Sequence, residues 1–84
     1  MTRLWPQGIA VTVFTTQTGT PQLFLWAERS HQVVEISRQW PVHWLEDEEP
    51  VWRIYHKLRT DTGLLVVIYQ DVPTGQWFLQ RLYD

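Results

Sequence analysis

Residues 51 to 83 read as three strands separated by two turn-forming clusters, the first alternating with period two and the middle one apolar throughout, and this pattern leaves little room for anything but an antiparallel sheet. From Val51 to Thr60, Trp52, Ile54, His56 and Leu58 point one way and Arg53, Tyr55, Lys57 and Arg59 the other. Thr60-Asp61-Thr62-Gly63-Leu64 supplies an Asp that bonds local backbone and a Gly for a tight hairpin loop. The run Leu64 to Gln70 is apolar on both faces, so both of its faces must be covered. Asp71-Val72-Pro73-Thr74-Gly75 then turns the chain into a last strand, Gln76 to Tyr83. Pairing Thr60 with Leu64 sets Tyr55 opposite Tyr69 and Arg53 opposite Asp71, two favourable cross-strand pairs worth roughly 0.2–1 kcal/mol each.

The first half reads in the same language. Ile9 to Thr15 alternates, with Ile9, Val11 and Val13 on one face; Gln22 to Ala27 follows a Thr/Gly/Pro loop, with Phe24 and Trp26 opposite Leu23 and Leu25. Glu28-Arg29-Ser30 is expected to turn the chain into a third strand, His31 to Arg38. Residues 1–8 read as a lead anchored by Trp5-Pro6, and residues 9–84 as a single domain. Gln39 to Pro50 reads as one long loop tied down by Trp40 and Trp44, since Pro41 and Pro50 bracket its four acids too closely for more than one helical turn. The expectation is an all-β fold: a six-stranded antiparallel meander forming a small SH3-like barrel or a strongly twisted sheet. At 84 residues such a domain buries only about 60–65 % of its unfolded surface, so its six Trp, three Tyr and three Phe must supply the core.

Composition narrows the chemistry. With no Cys there is no disulfide, thiolate nucleophile or Cys-based zinc site. The start of the chain lacks the apolar core of a signal peptide, and no apolar run reaches the ~18 residues of a membrane span, so a cytoplasmic protein without membrane contact is expected. His31, His43 and His56 are not spaced to converge on a metal; His56 is expected as a hydrogen-bonded core residue, His31 and His43 as solvated ones. Ser30 and Ser37 lack a nucleophile context, and adjacent carboxylates from Glu46 to Glu49 lack the buried surroundings that general acid-base work needs. No catalytic residue, metal or cofactor is therefore expected.

The feature that stands out is the polar side of the fourth strand. Arg53, Tyr55, Lys57 and Arg59 share one face, with Tyr69 and Phe78 expected beside them. Cations interleaved with aromatics are the ingredients of a single-stranded nucleic-acid platform. The same pattern also fits a solvent face with Arg53 paired to Asp71 and the tyrosines covered by the N-terminal half. A net charge of −2 speaks against a general polyanion binder.

The series Pro21, Phe24, Trp26, Arg29, Val33, Trp40, Trp44, Arg53, Tyr55, Thr60, Gly63, Tyr69, Asp71, Gly75, Trp77, Leu79 and the final Tyr83-Asp84 resembles a bacterial family of small β domains of uncharacterised function. That family occurs free-standing and at the C-terminus of Y-family DNA-polymerase-like proteins. Two positions depart from its pattern: Glu28 stands where the family has glycine, and Trp44-Leu45 where it has a Trp-Trp pair. The resemblance implies a β fold and an accessory role in DNA repair or translesion synthesis, but no catalytic residues. The expected function is a non-catalytic protein-interaction module; the alternative is weak single-stranded nucleic-acid binding through Arg53, Tyr55, Lys57, Arg59, Tyr69 and Phe78.

Overall fold

The computed structural model describes residues 2–83. Its strands are β1 (Arg3–Thr15), β2 (Pro21–Trp26), β3 (Arg29–Glu46), β4 (Glu49–Thr60), β5 (Leu65–Asp71) and β6 (Trp77–Tyr83). Each pairs antiparallel with the next and β6 returns to β1, so the meander closes into a barrel. Closure removes most of the unpaired sheet edge that would otherwise template association.

The register in the last third is the one the alternation demands. Thr60 N–H donates to the Leu64 carbonyl at 2.9 Å, Tyr55 faces Tyr69 and Arg53 faces Asp71. Gly63 turns the hairpin at φ +87°. One face of every strand fills the barrel: Phe24, Leu58, Val66, Ile68 and Leu79 are wholly buried, joined by Trp77 and Leu82. Each such side chain contributes about 1.5–3 kcal/mol. Val11 and Val13 of β1 and Trp26 of β2 close the layer from the N-terminal half, and Trp5 meets the Trp26 ring edge-on at 6.3 Å.

Three expectations need correction. First, the segment up to Gly8 is strand from Arg3 onward: Arg3 and Leu4 pair with Leu82 and Arg81, and a bulge follows before pairing resumes at Ile9. Second, residues 39–50 are not a loop. β3 continues to Glu46, turns through Asp47 and Glu48 at φ +50° and +68°, and returns as β4. Two residues at positive φ are what a two-residue hairpin turn requires, and Ala27-Glu28 makes the same turn between β2 and β3, with φ +54° and +61°, in place of the expected Glu28-Arg29-Ser30 turn. Neither proline breaks the ribbon, for a geometric reason. Val72 N–H donates to the Trp52 carbonyl, so Trp52 turns its backbone groups toward β5, and by alternation Arg53 turns its own toward β3. Val42, opposite Arg53, therefore faces β4, while Pro41 aims its missing donor away from β4. Pro50, in phase with Trp52, likewise aims outward, beyond the last β4–β5 pair, Arg53 with Asp71.

Third, His31 is buried rather than solvated. Because β3 starts at Arg29, His31 lies within the strand opposite Phe24 and stacks on it at 5.1 Å. Its Nε2 lies 3.1 Å from the Trp26 carbonyl and its Nδ1 2.6 Å from Thr62 Oγ1, which lies 2.9 Å from Thr60 Oγ1. A carbonyl can only accept, so Nε2 carries a proton and the chain of bonds ties the β2–β3 hairpin to the β4–β5 turn. His43, by contrast, is exposed on β3.

His56 is buried as expected, 5.4 Å from the Trp77 ring, but its Nδ1 has no hydrogen-bond partner among the described residues. Burial pushes its pKa below the ordinary 6.5. The unfolded chain thus binds a proton that the native ring resists, and stability falls as pH drops from about 6.5 toward the depressed native value. Thermal unfolding between pH 7 and pH 5 should show a falling midpoint, and His56→Leu should make that fall shallower. An identical pH dependence in the variant would place the titrating group elsewhere.

Candidate functional site

The outer face of β3 to β6 carries a second apolar layer, distinct from the barrel core, made of Tyr55, Val67 and Tyr69 with Trp40, Val42, Phe78 and Tyr83 packed against them. It arises from register. Trp40, Tyr55, Tyr69 and Phe78 are successive cross-strand partners on four neighbouring strands. Their rings form a continuous row, with centroids 5.4 Å apart between Trp40 and Tyr55 and 5.1 Å apart in the next two pairs. Such pairs add about 0.5–1.5 kcal/mol each beyond their buried area.

Cations cap this row. The Arg53 guanidinium lies 4.5 Å over the Tyr69 ring and 5.1 Å from the Trp44 ring, and its Nη1 donates to the Tyr55 hydroxyl at 3.2 Å. Arg38 sits 4.7 Å over Trp40, and Lys57 4.9 Å over Tyr83. Burial opposes the Arg53 charge, but the Tyr55 hydrogen bond and the nearby Tyr69, Tyr55 and Asp71 outweigh it and raise its pKa, so it is charged at every accessible pH. The β1 bulge covers the Tyr69–Phe78 half of the row: Tyr69 Oη donates to the Gln7 carbonyl at 2.9 Å, and Gly8 lies against Phe78.

Five of the six residues expected at this site are therefore brought together: Arg53, Tyr55, Lys57, Tyr69 and Phe78. Arg59 lies farther along β4, 4.0 Å from Glu35. Their exposure departs from what a stacking platform needs. Tyr69 is 2 % and Tyr55 7 % exposed, and the ring faces that bases would use already hold one another, Arg53 and the bulge. Arg38, Trp40, Val42 and Trp44 complete the face from β3; their spacing at every second residue was the available signal, masked by Pro41.

Beyond the Val42–Arg53 pair, β3 and β4 run on as a two-stranded ribbon, past the last residue of β5 that pairs with β4 and well past the end of β2 pairing at Gln32. A groove of about 540 Å³ separates the ribbon from the β1 bulge, with Trp44 and Pro50 on one wall, Pro6 and Gln7 on the other, and Arg53, Tyr69 and Asp71 among the residues between. The ribbon's opposite face is open: Leu45 is 71 % and Trp52 46 % exposed, with His43 beside Trp52 at 6.1 Å. Trp44, on the groove side, is 36 % exposed. Among the described residues, no group of three or more His, Asp or Glu gathers as metal ligands would, and no helix is long and apolar enough to cross a membrane.

Comparison with protein-family models, curated proteins and solved structures gives no match. The geometry has to carry the functional reading.

Proposed function

We propose that the chain is a non-catalytic binding module that docks onto another protein through the β3–β4 ribbon. The observation that carries this reading is the exposure of Leu45 and Trp52 on a ribbon the barrel core does not need. Apolar side chains grouped on a protruding element lose hydration on docking, and tryptophan is the residue type most enriched among binding hot spots. The acids Glu46 to Glu49 at the tip would form a charged rim around that patch and favour a partner with basic residues there. The resemblance adds a setting: an assembly in the bacterial cytoplasm concerned with DNA repair or translesion synthesis.

Single-stranded nucleic-acid binding is the second reading, favoured by the alignment of Arg38, Arg53 and Lys57 on one face. It is weaker because using the tyrosines as a platform would require unstacking Arg53 and exposing buried rings. Affinity capture by the full chain from a bacterial lysate, at low and moderate salt, separates the two. Docking through the ribbon predicts a protein that survives nuclease and moderate salt, is lost with Leu45→Asp or Trp52→Ser, and is retained with Lys57→Glu. Capture that vanishes with nuclease, salt or Lys57→Glu would transfer the function to the basic-aromatic face.

A further inference from the structure

β3 has β2 beside it only from Arg29 to Gln32; from there to Glu46, its sole neighbour among the described residues is β4. The other edge is open. By the alternation established above, Gln39, Pro41, His43 and Leu45 aim their backbone groups out of this edge. Open edges are commonly interrupted by bulges, and β3 has two, between Val33 and Glu35 and between Ile36 and Arg38. From Arg38 to Glu46, however, the register with β4 is unbroken, and the segment is bounded by the second bulge at one end and the Asp47-Glu48 turn at the other. Its midpoint is Val42.

We propose that this edge pairs with the same edge of a second copy of this chain, antiparallel about a two-fold axis at Val42. Residues that aim outward must meet residues that aim outward, which restricts the register to pairings of odd with odd and even with even positions. Centred on Val42, Arg38 of each copy lies opposite Glu46 of the other, and Trp40 opposite Trp44. Both are complementary pairs, and both occur twice. Centring on Pro41 would set the two missing donors against each other and place Glu46 opposite Ile36; centring on His43 would carry Arg38 past the strand end. At the Val42 register Pro41 leaves only the His43 carbonyl without a ladder partner. The His43 amide donates to the Pro41 carbonyl, and Gln39 and Leu45 exchange both bonds. The aromatic row then continues across the axis, from Phe78, Tyr69, Tyr55 and Trp40 of one copy to Trp44 of the other. Pairing through the edge leaves the Leu45–Trp52 face open, so it stands independently of what that face docks onto.

Sedimentation velocity on the full chain from ~10 μM to ~1 mM tests this, with Arg38→Glu, Glu46→Arg and the double exchange. The expected result is a dimer that each single reversal weakens about 10-fold or more, by opposing like charges at both ends of the ladder, and that the double exchange restores. Hydrogen exchange should slow with concentration at the amides of Gln39, His43 and Leu45. A chain monomeric throughout this range, a dimer indifferent to both reversals, or edge amides protected only when an unrelated extended peptide is added would each overturn the proposal; the last would assign the edge to strand addition by another protein.

Discussion

Gly8→Ala should destabilise the domain by about 2–5 kcal/mol, although the substitution adds a single methyl group at a partly exposed position. Two costs combine. Gly8 sits at φ +78°, where an L-residue pays about 1–2 kcal/mol. An added Cβ would also lie 2.7 Å from Phe78 Cβ and 3.1 Å from the Tyr69 ring, and crowding of packed side chains typically costs about 1–3 kcal/mol. The Phe78 contact is with a Cβ, which cannot swing aside as the end of a flexible chain would. A domain of this size is stable by only about 4–12 kcal/mol, at roughly 0.05–0.15 kcal/mol per residue. The control is Gly63→Ala: φ is +87° there, but nothing lies within 4 Å of the added carbon, so only the backbone cost remains. Urea unfolding of the two variants should therefore differ by about the crowding cost, ~1–3 kcal/mol. Equal losses would mean that the β1 bulge moves off Tyr69 freely and does not hold the aromatic row.

That bulge also marks where the sequence stops being legible. The β4–β5 hairpin is legible to the residue in its register because alternation, turn chemistry and cross-strand pairs agree there: Thr60 with Leu64, Tyr55 with Tyr69, Arg53 with Asp71. Residues 39–50 look like a loop in the sequence but form strand, because proline is a strand breaker only when its missing donor points at a neighbouring strand. Pro41 and Pro50 both point outward, a fact that depends on the phase of the whole ladder and not on local sequence. For His31 the cause is different: the turn lies at Ala27-Glu28, one residue earlier than its composition suggests, which carries His31 inside β3 and opposite Phe24. At the candidate site, alternation correctly placed Arg53, Tyr55 and Lys57 on one side. The apolar run Leu64 to Gln70 announces that this face is covered, but not which backbone atoms cover it. The Gln7 carbonyl over Tyr69 comes from a bulge no periodicity announces, and the stacking of Arg53 on Tyr69 requires knowing that Trp44 stands on its other side.

Tyr69 joins these pieces, and its removal should have the largest effect on the outer face. Tyr69→Ala deletes the middle of the aromatic row, the surface under Arg53 and the anchor of the bulge, and truncation of a buried aromatic costs about 3–5 kcal/mol. Tyr69→Phe keeps the ring but leaves the Gln7 carbonyl without its donor, an expected loss of about 1–2 kcal/mol. The hydroxyl also has a pH signature. Burial raises the Tyr69 pKa above the ordinary 10, with Arg53 offsetting part of the shift. The native state thus keeps the phenolic proton longer than the unfolded chain does, so the contribution is complete below about pH 10 and is lost as pH rises toward the elevated native value. Chemical denaturation at pH 8 and pH 11 should show a steeper alkaline loss for the wild type than for Tyr69→Phe. If the two lose stability in parallel, the Tyr69 hydroxyl is not the group that titrates, and the hold of the β1 bulge on this face must rest on Phe78 packing instead.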